Sequence, residues 1–169
     1  MIKAFGISIN RFQPENAIKA IKTGLIDAVE VVYNIFEQAP EDKLFPLCRE
    51  MGVAVIARVP FDEGALTGSL TLETKYPEND WRSTYFTPEV LKTNVQHTNK
   101  LKKDLPENIT MPELALRFIL SNSDVSTTIP GMRKEKNVIA NVSSSEKGKL
   151  DQDLIQKLRG HRWDRLSAV

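Results

Sequence analysis

One cysteine, two histidines, no long apolar run and almost no net charge set the first limits on this 169-residue chain. A lone cysteine, Cys48, permits no disulfide framework. It sits among Leu44, Phe45, Leu47 and Met51 on a helical pattern, so its expected role is core packing; no adjacent histidine or cationic cluster is there to make it a nucleophile. His97 and His161 stand far apart, and neither has a second ligand-type residue at useful spacing, which leaves a metal site unsupported. The 23 basic and 22 acidic side chains nearly cancel, and aromatic residues do not interleave with Lys or Arg. Neither nucleic acid nor a membrane surface is therefore an expected partner. Apolar runs fall short of the roughly 18 residues of a membrane span, and Met1 to Gly6 leads straight towards a strand without the pattern of a signal peptide, so a cytoplasmic location is expected. Glycine-rich phosphate-loop fingerprints and a Ser/His/Asp constellation are missing as well.

What is present is an alternation of strand-like and helix-like periods across a single expected domain, 1–169, a length that hides roughly 70% of its unfolded surface. Ala4 to Ser8 reads as a strand, and Gln13-Pro14 opens a helix that Gly24 closes. Ala28 to Val32 is a second strand broken only by Glu30. Pro40-Glu41-Asp42 starts a helix that ends at Gly52, and Val53 to Ala57 is a third strand, apolar enough to be buried on both faces.

A long excursion follows, from Arg58 to about Ile109, holding Trp81, Arg82, Tyr85 and Phe86 and one helix that Thr87 caps. Those aromatics suit either an apolar pocket or a packing anchor. Thr110 and Glu113 spell a capping box, with Ile109 and Leu114 as a hydrophobic staple. Ser126 to Ile129 is the fourth strand, Lys134 to Val142 the fourth crossover helix, and Asp151 to Arg159 a terminal helix. Four strand-helix units imply an α/β fold with a parallel sheet and right-handed crossovers. A small doubly wound sheet and half of an eight-stranded (β/α) barrel both satisfy the spacing.

The stretch from Val125 to Asn141 carries the clearest chemical signal. A β-branched run breaks at Pro130-Gly131 into a basic helix start, where free N–H groups, the helix dipole and Arg133 together suit a phosphate. The same arrangement also describes an ordinary strand-to-helix connection.

Several segments, in order and correctly spaced, resemble the aldo/keto reductases: Phe5-Gly-Ile-Ser-Ile, Ile26 to Asn34, Leu44 to Ala57, Gly64-Ala-Leu-Thr-Gly68, Glu113-Leu-Ala-Leu-Arg-Phe and Thr128-Ile-Pro-Gly-Met-Arg133. The likeness is to the C-terminal half of that TIM (β/α)8 barrel, from its fifth strand onward. It implies hydride transfer between NADPH and a carbonyl in the whole enzyme. By the same resemblance the catalytic Asp, Tyr, Lys and His belong to the first half, and none has a counterpart here. The carbonyl substrate would thus be met only together with that missing half.

What the resemblance assigns to this half is a nicotinamide-dinucleotide site. Ser8 matches the serine that bonds the nicotinamide carboxamide, though Ile9 intervenes before Asn10 where an asparagine often follows directly. Glu30 stands where a glutamine usually meets the same carboxamide; as a carboxylate it accepts but cannot donate, and pairing with a base is its other role. Arg58 replaces an aromatic residue that stacks on nicotinamide, would favour NADPH over NADP⁺ by its charge, and has Glu30 or Glu63 as alternative partners. Val59, Phe61 and Gly64 belong to the loop that passes over the pyrophosphate. Gly131, Met132 and Arg133 match the turn that holds the 2′-phosphate, and Asn137 and Asn141 match adenine contacts one helical turn apart. A half-barrel also leaves two strand edges open. With Ile7, Val31 and Ile56 expected on an uncovered interior face, a homodimer through those edges is a further expectation.

Overall fold

The computed structural model describes residues 1–165, so the end of the domain expected over 1–169 lies outside the described residues. Four parallel strands form one sheet: β1 (Gly6–Ser8), β2 (Ala28–Val32), β3 (Ala54–Arg58) and β4 (Thr127–Thr128), in the spatial order β1-β2-β3-β4. The strand order never reverses, so the sheet has no switch point of the doubly wound kind.

Register then separates the two faces. Ile7 pairs with Val29 and Val29 with Val55, while Val31 pairs with Ala57. On that face Val29, Val55 and Ala57 are fully buried and Val31 is 2% exposed. Ser8, Glu30 and Ile56 share the opposite face with Thr127, and all of these keep solvent contact. A doubly wound sheet buries both faces under helices, whereas a barrel wall covers only its outside. The chain is therefore one half of a barrel wall. Two expectations are corrected by this. Ile7 and Val31 belong to the covered side, leaving Ile56 alone of the three on the open face; and β3 is buried on one face only, because the strands that would close over the other are not among these residues.

The helices are α1 (Ile18–Ile21), α2 (Pro40–Met51), α3 (Arg82–Tyr85), α4 (Pro88–Leu101), α5 (Met111–Ser121), α6 (Glu135–Glu146) and α7 (Gln152–Arg159), and all but α3, which has no buried residue and lies in the long insertion, form the covering layer. Ile21, Leu44, Leu114, Ile119 and Leu158 from this layer are fully or almost fully buried. The helix expected from Pro14 opens as a 3-10 turn, Pro14–Ala17, and becomes α-helical only from Ile18. Gly24 and Gly52 end the first two crossovers with positive φ, at 73° and 67°, which a residue with a Cβ resists. Cys48 is buried as expected, and burial pushes its thiol up to about 11.

At α5 the capping box forms by half. Thr110 Oγ1 accepts from the Glu113 N–H at 3.4 Å. Glu113 itself turns away to bond Arg117 at 3.1 Å and Lys147 at 2.7 Å. Two cations outcompete one backbone N–H for a carboxylate that is only 7% exposed. This tie fastens α6 to α5.

Candidate cofactor cleft

Every residue singled out in the sequence for a ligand lies at or near the carboxyl ends of the strands, or on the turn and helix that follow β4. On the open face Ser8 and Glu30 sit side by side in register. Arg58, at the end of β3, donates to the Ile9 carbonyl at 3.1 Å and approaches the Glu30 carboxylate at 3.8 Å. Of the two partners foreseen for Arg58, Glu30 is the one within ion-pair distance. The pair is partly solvated, so it is worth little in stability and leaves both groups able to turn towards a ligand.

The loop after β3 and the turn after β4 face each other across a cleft of about 720 Å³. Val59, Phe61, Glu63 and Gly64 line one wall; Ile129, Gly131 and Arg133 line another. The volume falls within the roughly 300–1,000 Å³ usual for small-molecule sites. A Cβ built at Gly64 or Gly131 would meet nothing within 4 Å, so both positions open onto free space. None of the salt bridges among the described residues involves Arg133. Next to it, α6 begins at Glu135 without a side-chain cap, which leaves first-turn N–H groups facing outwards.

Met132 is 44% exposed and does not line the cleft. Asn137 is exposed on the first turns of α6. Asn141 is only 8% exposed, and its amide donates to the Gly131 carbonyl at 3.3 Å. Here Asn141 fastens the turn from behind.

Several cleft residues escaped the sequence reading. Asp80 and Arg82 form part of the wall and are locked together by two side-chain bonds, at 2.5 and 2.9 Å. That contact, with Arg133 nearby, holds the Asp80 carboxyl down at about 2. Trp81 lines the cleft while Phe86, 8% exposed, anchors the insertion in the core; the two alternatives for the aromatic cluster are thus divided between its members. Asn34, fully buried, does not line the cleft but ties its loop from within the core. Its amide donates to the Val59 carbonyl at 3.0 Å, and its carbonyl oxygen accepts from the N–H groups of Phe36 and Glu37. A polar residue at the end of an apolar strand was the available signal.

The wall at Val59–Gly64 is conformationally unusual. Val59, Asp62 and Glu63 have φ of 55°, 48° and 56°, in the left-handed region that residues with a Cβ seldom enter and that persists only under strong local constraint. Burial pushes the Glu63 carboxyl upwards, against the opposing pull of Arg11 at 3.6 Å.

Comparison with known proteins agrees with this geometry. The chain is 31% identical over 134 residues to an NADH-specific methylglyoxal reductase from Escherichia coli, covering 73% of this chain and 38% of that protein. It is 28% identical over 140 residues to the aldo-keto reductase yakc [NADP(+)] from Schizosaccharomyces pombe, covering 79% and 41%. Among solved structures, aldo-keto reductase AKR11C1 from Bacillus halodurans superposes with a TM-score of 0.72 at 25% identity, over 98% of this chain and 52% of that one. The glycerol dehydrogenase AKR11B4 from Gluconobacter oxydans gives 0.76 at 21% identity, which bears on the fold alone. The chain spans about half the length of the solved relatives it matches. Residues 1–162 match the model of the aldo/keto reductase family, and the chain belongs to that family as one half of its barrel.

Proposed function

We propose that this chain is the NADPH-holding half of an aldo/keto reductase, serving carbonyl reduction by hydride transfer only when joined to groups it does not itself contain. The observation that carries this reading is the placement of Gly131 and Arg133 on the same cleft as Val59, Phe61 and Gly64, immediately before the uncapped start of α6 in the chain. A phosphate at the β4 end would meet a guanidinium and free N–H groups, and the nicotinamide end would fall towards Ser8, Glu30 and Arg58 on the open face. NADPH supplies the hydride when bound. The chain's own residues bind and orient it, and none of them is assigned a proton-transfer role, so the chain alone should not turn over carbonyl substrates.

Arg133 also bears on cofactor choice. Of the two relatives above, one is NADH-specific by name and one carries NADP(+) in its name. A cation with no salt bridge among the described residues, at the expected 2′-phosphate position, favours the phosphorylated form. Thermal unfolding tests this: NADPH should raise the melting temperature more than NADH, and Arg133→Ala should erase the difference. Equal shifts before mutation would remove the assignment.

A second reading, a self-associating half-barrel, is favoured by apolar exposure at both ends of the sheet. Ile2, Phe5 and Leu25 are 57–72% exposed near β1, and Ile129, Ile139 and Val142 are 48–63% exposed around β4 and α6. Light scattering should then report twice the 19.1 kDa chain mass, and a monomer at high concentration would exclude it.

A further inference from the structure

The strained wall of the cleft is held from outside, by the segment that follows α7. His161 bonds Asp104 at 2.8 Å, and Arg162 forks onto Asp42 at 2.6 and 2.7 Å. The Trp163 N–H donates to the Phe36 carbonyl at 2.8 Å, and the Trp163 ring stacks on His97 with centroids 4.0 Å apart and planes 4° apart. The path ends at Arg165, which lies over the rings of Trp163 and Phe12 at 4.5 and 4.9 Å. From there it grips the Asp62 carboxylate with both nitrogens of its fork, at 2.6 and 3.1 Å.

The grip falls on the middle of the loop, where Arg11 at 3.6 Å from Glu63 and the Thr67 hydroxyl donating to the Gly64 carbonyl at 2.7 Å are the other side-chain ties among the described residues. Val59, at the loop's start, is tied through its carbonyl to Asn34. Ala65, at its end, is tied through its carbonyl to Thr98 at 3.2 Å. Between them stand Asp62, Glu63 and Gly64, all with positive φ. Phe61, Glu63 and Gly64 line the cleft, whereas Asp62 does not. Its side chain is 1% exposed and that of Arg165 10%, so the loop presents alternate residues to the cleft and to the clamp.

We infer that Arg165 is a positioning residue for the dinucleotide: by clamping Asp62 behind the loop, it holds Phe61 and Glu63 in the arrangement that forms the cleft wall. This rests on the cofactor reading above and adds to it a distant residue that never touches the ligand. A buried forked pair suits the task, because a lysine keeps the charge but loses the planar two-point grip that fixes orientation.

The experiment is amide hydrogen exchange on the whole chain combined with NADPH titration, for the wild type, Arg165→Lys, Asp62→Asn and the double variant. Arg165→Lys retains a cation beside Asp62, which guards against simple unfolding. The inference expects exchange at residues 62–66 to rise tenfold or more while β2 and α5 stay as protected as in the wild type. The NADPH Kd should rise about tenfold, the scale of one lost charge-assisted bond. Because both residues act through one contact, the double variant should be no worse than either single variant. Unchanged loop exchange in Arg165→Lys, additive effects in the double variant, or loss of protection spread evenly over the sheet would each overturn it. If the wild type binds no NADPH, the cofactor reading fails and the positioning role with it, although the exchange data would still report whether the clamp exists.

Discussion

The two faces of this sheet are built from the same strands, yet they differ in almost every physical respect. Towards the helices stand Val29, Val31, Val55 and Ala57, each 2% exposed or less. Towards the open side stand Ser8, Glu30, Ile56 and Arg58, in contact with solvent and mixed in polarity. Alternation along a strand allows one backbone to serve both ends. The comparison teaches that stability resides in the covered face, while the open face and the loops at its carboxyl edge are free to carry ligand chemistry.

The sharpest way to break that contrast is to truncate neighbouring residues of β3. Val55→Ala removes two methyl groups from a fully buried site and should cost about 2–3 kcal/mol in urea unfolding. Ile56→Ala, one residue on but facing the open side, should cost under about 1 kcal/mol. Equal losses would mean that the open face is covered in solution and would favour the self-associated form.

A smaller effect should appear with pH. Glu37 is 3% exposed, and burial pushes its carboxyl from 4.5 up to about 7, against the opposing charge of Arg165. The folded state therefore holds this proton more tightly than the unfolded chain does. The penalty of ionisation is absent below about pH 4.5 and complete above about 7, so stability should decline as pH rises through that window. Glu37→Gln should flatten the decline, as read from denaturation midpoints at pH 5 and pH 8; an unchanged slope would assign it to other groups.

The smallest stability change belongs to the polar pair on the open side. Arg58→Ala should shift stability by less than about 1 kcal/mol, since the 3.8 Å contact with Glu30 is partly solvated. The same substitution should nevertheless weaken NADPH binding measurably by fluorescence titration. A large stability loss with unaltered binding would make Arg58 a structural residue.

The covered face was legible in the sequence because hydrophobic period and turn chemistry both report it. Gly24, Gly52, Pro40 and the Thr87 and Thr110 caps all stand where the elements begin or end. Strand boundaries were read one or two residues long at β1 and β4, where the backbones of Phe5, Ser126 and Ile129 still hydrogen-bond across to the neighbouring strand or the residue before it although the ladder has ended. Which face Ile7 and Val31 occupy was not legible. Period 2 places residues on a common side but does not say which side the helices will cover.

The cleft was half legible. Gly131 and Arg133 follow β4 directly, so local order revealed them. The Arg165–Asp62 clamp joins residues 103 positions apart, and no local pattern encodes such a pairing. Asp80 and Arg82 lie in an insertion whose path is set by the core anchor Phe86 rather than by periodicity. The adenine contact of Asn141 was expected from the family resemblance, whereas the turn it secures becomes visible only in three dimensions.

The most direct test of the central claim is to map NADPH binding residue by residue, following backbone amide resonances of the isotope-labelled chain during titration. The account predicts shifts concentrated at Ser8, Glu30, residues 58–64 and residues 131–137, saturating together, with α2 and α5 unaffected. Saturable shifts centred on the helix-covered side, or none at cofactor concentrations that saturate a complete enzyme, would contradict it.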